Sequence, residues 1–447
     1  MTTLAQRVLI SSRHRWRTLA PLPRQFIVNL LIALVVLVTL QLFQHQPLLA
    51  RQQSAGLDWL MRMTANTPAP ADATPYLFID LDTPSWVALG EPHLVPAEVL
   101  ARLLEQLVET RANEVILDID LSRRSLRDLA PLAAVMARWQ ASGDAPPLTL
   151  MRTLTPAPTP AGLGTPRATV LEDVSAGAAW AAPFFTLDPD RRVRRWRLVE
   201  PVCQGGQAQL LPSVQLVALA RQQDALASLQ AQLDRWPGGD CEGETLPALP
   251  RLQLGEQSVQ LYLPGQSGTR GLGERILFTL PDAPASGWAH QPLASGGSRP
   301  LVIRLPVSAL LAQTERLPDH LVYKRTVIIG ASHVESGDVH ATPLGSMAGP
   351  MVLINALHSL ERFGQIRPPS FWTTALITSL LVLVLSFCFV RLPPLWANLG
   401  TLAGIVLLVI PLSLLYFRSG VWLNFLLPLL AVEVYRWIHR FRQYRRP

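Results

Sequence analysis

Long uninterrupted apolar segments at both ends of the chain are its clearest pattern. The first, 26–43, is eighteen residues without a charge. As a helix it would be about 27 Å long, just enough to cross a bilayer. Three more such segments follow near the end of the chain, the last with Glu433 close to its end. We therefore predict four transmembrane helices, at 26–43, 371–390, 395–417 and 421–435.

The charges beside these segments predict their orientation. Residues 1–25 carry five arginines and no acid, and the tail 436–447 carries another five arginines. By the positive-inside rule both ends lie in the cytoplasm, which requires an even number of crossings. Residues 44–370 then form a periplasmic domain of a multi-pass protein of the bacterial inner membrane. A cleaved signal peptide is the alternative for 26–43, although its apolar core is longer than the ~7–15 residues usual there.

Composition narrows the function classes. Hydrophobic residues make up 49% of the 447 residues and the mean hydropathy is +0.24, as expected for a chain that lies partly in lipid. The formal net charge of +7 is concentrated beside the apolar segments, and 44–370 is mildly acidic, which argues against nucleic-acid binding. No ionisable residue lies at the centre of a predicted span, which argues against transport.

Within 44–370, apolar runs of strand length alternate with amphipathic helices. Residues 76–81 and 114–119 predict strands buried on both faces, and leucines at helical spacing follow Pro96 between them. Together they form a βαβ unit. The predicted fold class is α/β, a mainly parallel sheet with flanking helices. Further elements are predicted as helices at 49–63, 126–140, 211–233 and 349–363, strands at 148–152 and 326–330, and an exposed strand at 191–197.

The cysteines and two glycines suggest covalent and packing contacts. Cys203 and Cys241 lie in the predicted periplasmic domain, where an oxidising compartment makes them disulfide partners, and a zinc site would need more ligands nearby. Gly400 and Gly404 form a small-xxx-small pair in a predicted span. Such a pair allows close helix packing, either within the chain or between two copies of it.

Several motifs in chain order resemble the type-2 CHASE domain, an extracytoplasmic sensory domain found with cyclases, histidine kinases and other bacterial signalling modules. The resemblance covers roughly 50–365, and one span before and three after are also typical of that family. It implies a periplasmic sensor domain. The motifs are FIDLDTPS at 78–85, VILDIDLS at 115–122, LDPDRRVRR at 187–195, TVIIGA at 326–331 and GDVHATPLG at 337–345.

The chain departs from the family pattern in three places. Residues 90–96 lack the Trp and Arg of an aromatic-Pro segment that usually follows the first Gly. Arg191 replaces the Gly of an Asp-x-Asp-Gly-x-x-Arg stretch, and either change suggests that the original ligand site has drifted. Only twelve residues follow the last predicted span, too few for a folded output domain. We therefore expect any cytoplasmic response to come from a separate protein.

Acidic residues follow the predicted strands directly, and ligands of open parallel sheets bind outside the carboxyl ends of the strands. We predict an acidic rim that binds a cation or a polar cationic ligand. The alternative is that these side chains cap helices and close turns, with no metal bound. The rim consists of Asp80, Asp82, Asp118, Asp120, Asp338 and His340.

The remaining chemistry favours binding over catalysis. His333 and His340 have no Ser or Cys arranged as a nucleophile system, so we expect no enzyme activity and no cofactor. The arginines of 191–197 could meet lipid head groups or an acidic partner, or form the solvated face of a strand. Two functions remain open. The chain is either a sensory receptor that acts through a separate partner protein or a structural subunit of a multi-protein envelope complex.

Overall fold

The computed structural model describes residues 47–156, 162–175, 177–243, 245–263, 271–293, 296–313, 316–370 and 410–422, with a few isolated positions outside these ranges. Among these residues, no helix combines the length and the apolar character that a membrane crossing needs. Outside these ranges lie the predicted spans 26–43 and 371–390, most of 395–417 and of 421–435, the basic ends 1–25 and 436–447, and the Gly400/Gly404 pair.

The chain divides into two compact units, one made of residues 61–366 and the other of residues 1–60 and 367–447. The strands are β1 (Tyr76–Leu81), β2 (Glu114–Leu117), β3 (Leu148–Met151), β4 (Leu154–Pro156), β5 (Gly164–Pro166), β6 (Ala179–Ala181), β7 (Phe185–Leu187), β8 (Val193–Trp196), β9 (Val199–Gln204), β10 (Gln207–Pro212), β11 (Arg251–Leu254), β12 (Gln257–Gln260), β13 (His290–Pro292), β14 (Ser298–Pro300), β15 (Val302–Pro306), β16 (Thr326–Ala331), β17 (Val339–Thr342) and β18 (Gly345–Ala348). The helices are α1 (Pro47–Thr64), α2 (Thr83–Ala88), α3 (Ala97–Glu105), α4 (Leu126–Ala141), α5 (Val214–Gln222), α6 (Leu226–Asp234), α7 (Val307–Leu311), α8 (Asp319–Val322), α9 (Gly349–Phe363) and α10 (Ile410–Phe417).

The main sheet of the 61–366 unit is parallel, with strand order β15-β1-β16-β2-β3-β6. Every residue of β1 and β2 is buried, as the unbroken apolar runs predict. Tyr76 on β1 pairs with Thr326 on β16, which in turn pairs with Glu114 on β2. The three strands therefore begin at one edge and end together at the other. The predicted α/β class with a mainly parallel sheet is confirmed.

Helices α3 and α4 supply the core on one side of this sheet. Leu100, Leu103 and Leu104 of α3 are at most 1% exposed, so the predicted apolar stripe faces the core. Helix α4 begins with a capping box, in which Ser125 and Asp128 each bind the other's backbone N–H. The predicted helices at 49–63, 126–140 and 349–363 and the predicted strands at 76–81 and 326–330 are confirmed within one or two residues.

The region predicted as a helix, 211–233, is mostly helical, but the prediction of one continuous helix from residue 211 is wrong. Residues 211–212 complete β10, Ser213 then caps α5, and a second helix, α6, starts at Leu226. Asp224 between the two helices has a φ of +49°, in the left-handed region that ends a helix. The apolar periodicity continues across this break, which is why the sequence pattern alone suggests one helix.

The strand predicted at 191–197 is present as β8 (Val193–Trp196), but its predicted exposure is wrong, because β8 is largely buried. The Arg194 side chain is 5% exposed and binds two carboxylates, Asp188 at 3.0 Å and Asp190 at 2.7 Å. Asp188 also accepts from Arg195 at 3.0 Å. Arg191 has a φ of +59° at the position where the family pattern has Gly. The Asp-x-Asp-Gly-x-x-Arg stretch therefore builds a turn whose two acids neutralise a buried arginine.

The Cys203–Cys241 disulfide is present, as predicted. Cys203 lies on β9, whose hairpin with β10 places it opposite Ala208. The bridge ties the loop around 236–243 to this hairpin, and the loop adds its own backbone bond from Ala208 N to Gly239 O at 2.9 Å.

In the unit made of 1–60 and 367–447, α10 is followed by a turn at 418–420, where the sequence predicts a connection between spans. Gly420 has a φ of +72° there. The backbone of Arg367 pairs with Gly420 and Trp422, at 3.2 Å and 3.1 Å.

Candidate functional site

The six residues of the predicted acidic rim occupy different settings in the structure. Asp80 ends up inside the sheet, 1% exposed, with its carboxylate 2.6 Å from Arg304 Nε. Arg304 lies on the neighbouring strand β15 and also donates to Ser332 Oγ at 2.8 Å. Burial raises the pKa of Asp80, and the Ser332 hydroxyl and the Arg304 guanidinium oppose that rise. Asp80 is thus one half of an internal ion pair, and the sequence pattern does not reveal its partner.

Asp82 and Asp120 are held by local hydrogen bonds. Asp82 caps α2 by accepting from Ser85 N at 2.9 Å. Asp120 accepts from the backbone and hydroxyl of Ser122, at 2.9 Å and 2.7 Å, and from Thr153 Oγ1 at 3.3 Å. These are the capping and turn roles that the sequence leaves open as the alternative to ligand binding.

The other three rim residues come together where β2 and β16 end and α9 begins. Asp118 directly follows β2, Asp338 precedes β17, and His340 lies on β17. His340 Nε2 is 2.8 Å from Asp338 Oδ1. The Asp118–Asp338–His340 cluster is the part of the rim that we treat as the candidate site.

Two glycines make this close approach possible. A Cβ on Gly349, the first residue of α9, would lie 1.9 Å from Asp338 Oδ2. A Cβ on Gly330 in β16 would lie 2.5 Å from Pro350 Cγ and 3.5 Å from Asp118 Cβ. Gly349 N also donates to the Asp338 carbonyl at 2.7 Å. The cluster therefore lies against the N-terminus of α9, where the helix dipole favours negative charge.

The pKa values of two residues in this cluster, Asp118 and His340, are raised above their ordinary values. Burial raises the pKa of Asp118 to about 7, the Asp338 carboxylate adds to the rise, and His340 opposes it. The hydrogen bond to Asp338 raises the pKa of His340, against the effect of burial. Asp118 can thus gain or lose a proton near neutral pH, and the raised pKa of His340 favours the charged imidazolium beside Asp338.

Among the described residues, no three His, Cys, Asp or Glu side chains lie close enough together to hold a metal ion. The binding of a cationic ligand stays a prediction, and it now concerns the Asp118–Asp338–His340 cluster instead of all six rim residues.

Helix α9, which starts at the cluster, is the most buried helix of the domain. Every residue from Gly349 to Leu360 is buried. Asn355 Oδ1 accepts from Thr279 N and Leu280 N at 3.0 Å each, and Ser359 Oγ accepts from Leu277 N at 2.9 Å. Burial lowers the pKa of His358 to about 3, so this residue is neutral in the folded domain. Sequence periodicity predicts the helix but not these polar anchors.

At its other end, α9 is tied to the start of β1. Glu361 accepts from Thr74 Oγ1 at 2.5 Å, from Tyr76 Oη at 3.2 Å and from Gln222 Nε2 at 2.8 Å. Because Thr74 and Glu361 are 287 positions apart, a sequence pattern carries no signal of this contact.

The structure thus combines a parallel α/β domain with a charged cluster beside a helix N-terminus. A family model, the CHASE2 domain, matches residues 31–391 of the chain. Because this range is most of the chain, the chain belongs to the CHASE2 family of extracellular sensory domains. No curated protein and no solved structure gives a significant match.

Proposed function

We propose that this chain is a sensory receptor of the bacterial inner membrane. Its CHASE2 domain lies in the periplasm, binds a signal, and acts through a separate partner protein. Membership of a family of extracellular sensory domains supports the sensory role. Four spans, with both basic ends in the cytoplasm, agree with the distribution of arginines along the sequence.

The single observation that carries this proposal is the way α9 is attached. Its first residue, Gly349, lies against the Asp338 carboxylate, and Glu361 in its last turn binds β1. The residues between them are buried, so the helix moves as one body if it moves at all. A signal that changes the charge or the packing at either end favours one of two positions of α9.

The sequence connects this helix directly to the predicted membrane segments. Only residues 364–370, which include Pro368 and Pro369, separate α9 from the apolar segment 371–390. A connection this short and proline-containing has little slack. A displacement of α9 would therefore reach the membrane segment, and through it a partner protein.

The structural alternative is a docking module without a switch. The disulfide, the Asp188–Arg194–Asp190 ion pairs and the buried α9 all favour a rigid domain. A rigid domain suits a subunit of a multi-protein envelope complex. In that case the proton-binding cluster has no effect on the partner.

Purification from native membranes separates the two functions. The full-length wild type, Asp118→Asn and a matched control, Glu335→Gln, would be recovered with their partners and quantified by mass spectrometry. Glu335 is exposed and lies a few residues before the cluster. The receptor predicts recovery of a kinase or cyclase in an amount that changes in Asp118→Asn only. Equal, stoichiometric recovery of envelope proteins by all three would support the scaffold and contradict the receptor.

A further inference from the structure

A cavity of about 400 Å³ opens at the amino-terminal edge of the main sheet. Strands β1, β2 and β16 begin there with Tyr76, Glu114 and Thr326, and residues of α5 and α9 border it. The Asp118–Asp338–His340 cluster lies at the opposite edge, where β2 and β16 end. The volume is in the range of sites that hold small organic molecules.

Gln215 on α5 is one of the residues that line this cavity. Its side chain is buried, with the residue 1% exposed. Neither the amide oxygen nor the amide nitrogen has a hydrogen-bond partner within the part of the chain that the structure describes. Buried amides are normally satisfied, because an unsatisfied one destabilises the fold. The wall of the cavity therefore contains an amide whose hydrogen-bonding groups are unsatisfied.

The described lining of the cavity carries excess negative charge. Three carboxylates, Glu114, Asp224 and Glu361, stand against one guanidinium, Arg221, which leaves a net charge of −2. Arg221 is already committed, because it forms an ion pair with the buried Glu114 and donates to Leu148 O at 2.9 Å. The hydrogen bonds to Glu361 come from neutral donors, so they do not cancel its charge.

We propose that this cavity binds a small organic cation with several N–H groups, such as a diamine or a guanidine. The cationic group is attracted to Glu361 and Asp224, and the Gln215 amide oxygen accepts an N–H. An organic cation fits better than a metal ion, since no metal-binding group of three ligands exists among the described residues. The site is separate from the proton-binding cluster, and it would exist whether the chain is a receptor or a scaffold.

A molecule bound in the cavity would also affect the contacts that hold the end of α9. Glu361 belongs to the last turn of this helix, and a cation beside it would compete with the hydrogen bonds from Thr74 and Tyr76. Binding here therefore affects the end of the helix that leads, along the chain, to 371–390.

The test uses the full-length protein in lipid nanodiscs at pH 7.5. Calorimetry and thermal unfolding would be measured with putrescine and agmatine as probes, and with 1,4-butanediol and succinate as neutral and anionic controls. We expect saturable binding of the two amines with a rise in Tm, and no effect of the two controls. Absence of saturable amine binding up to about 10 mM would overturn the proposal, because that limit corresponds to affinity too weak for a specific site.

Variants test whether the cavity is the binding site. Glu361→Gln and Asp224→Asn should each raise the Kd for putrescine about tenfold. Asp144→Asn, at an exposed carboxylate outside the cavity, should leave it unchanged. Equal Kd values for Asp224→Asn and wild type would overturn the assignment, even if Glu361→Gln failed to fold.

Gln215→Met distinguishes a binding role from a structural one. The substitution removes a buried amide that has no partner, so the unliganded variant should unfold at the wild-type Tm or above it while it loses putrescine binding. A lower Tm together with an unchanged Kd would show that Gln215 only supports the fold, and would contradict the proposal.

Discussion

The carboxylate of Asp338 lies so close to Gly349 that a Cβ on this glycine would come within 1.9 Å of Oδ2. The contact places a negative group at the first residue of α9, where the helix N-terminus favours it. Gly349 has no positive φ, so close approach and not backbone conformation makes glycine necessary here.

Gly349→Ala should therefore lower the free energy of unfolding by about 3 kcal/mol, the upper range for a forced steric overlap in a packed site. Gly143→Ala is the control, because a Cβ there meets no atom within 4 Å. Thermal unfolding of the full-length protein measures both. A double variant, Gly349→Ala with Asp338→Ala, should regain part of the loss, and an additive loss would contradict the proposed contact.

The stability of the domain should depend on the ionisation of Asp118. Its pKa in the folded protein, about 7, lies above its ordinary value of 3.8. Between these two pH values the unfolded chain releases the proton while the folded domain retains it, so this group's stabilising effect is lost as pH rises toward and through 7. Asp118→Asn keeps the side chain uncharged at every pH. It should match the wild-type Tm only near pH 3.8 and below, and its advantage should grow as pH rises, reaching several degrees at pH 8.

A Tm difference between Asp118→Asn and wild type that is the same at pH 5 and pH 8 would contradict this pKa shift. Glu335→Gln serves as the matched control, since it removes an exposed carboxylate nearby and should show no pH-dependent difference. His358, whose pKa is lowered to about 3, destabilises the fold as pH falls below its ordinary value of 6.5. The comparison between variant and wild type cancels that contribution.

Arg191 occupies a left-handed backbone conformation, with a φ of +59°, where the family pattern has glycine. A non-glycine residue there costs about 1 kcal/mol, partly offset by the greater entropy of glycine in the unfolded chain. Arg191→Gly should therefore raise the free energy of unfolding by about 0.5 kcal/mol. Arg192→Gly, at a neighbour without a positive φ, should lower it. Stabilisation by both variants, or by neither, would show that the turn is not strained.

The Cys203–Cys241 disulfide closes a chain segment with a sequence separation of 38 residues. Loss of a bridge over a loop of this length is expected to cost about 3–4 kcal/mol. Cys203→Ser with Cys241→Ser should lower the Tm and make the loop around 236–243 the first site of proteolytic cleavage. Unchanged Tm and cleavage elsewhere would show that the hairpin and loop hold together without the bridge.

The sequence predicts the central sheet well because its strands are unbroken apolar runs. Residues 76–81 and 326–331 have no alternative to burial on both faces, and their parallel pairing follows from the helices between them. The prediction of one continuous helix at 211–233 is wrong because the apolar spacing does not report the left-handed Asp224 between two helices. The short strands within 154–212 show no clear alternation in the sequence. Their formation depends on tertiary contacts, which the sequence pattern does not report.

The sequence likewise predicts one part of the candidate site and misses another. The rule for carboxyl ends of parallel strands places Asp118 directly after β2, and Asp338 lies close enough to act on its pKa. It does not distinguish them from Asp82 and Asp120, whose local hydrogen bonds to Ser85 and Ser122 compete for the carboxylates. The sequence pattern does not show that Arg194 is buried. It also does not show the partners of Asp80 and Glu361, which lie far away along the chain.

The proposed receptor requires that the CHASE2 domain lie outside the inner membrane while both ends of the chain face the cytoplasm. Topology reporters inserted after the exposed Gly143 and fused after Pro447 test this most directly. We predict that a reporter active only in the periplasm works at Gly143 and fails at Pro447, and that a reporter active only in the cytoplasm gives the opposite result. The same response at both positions would contradict the four-span receptor.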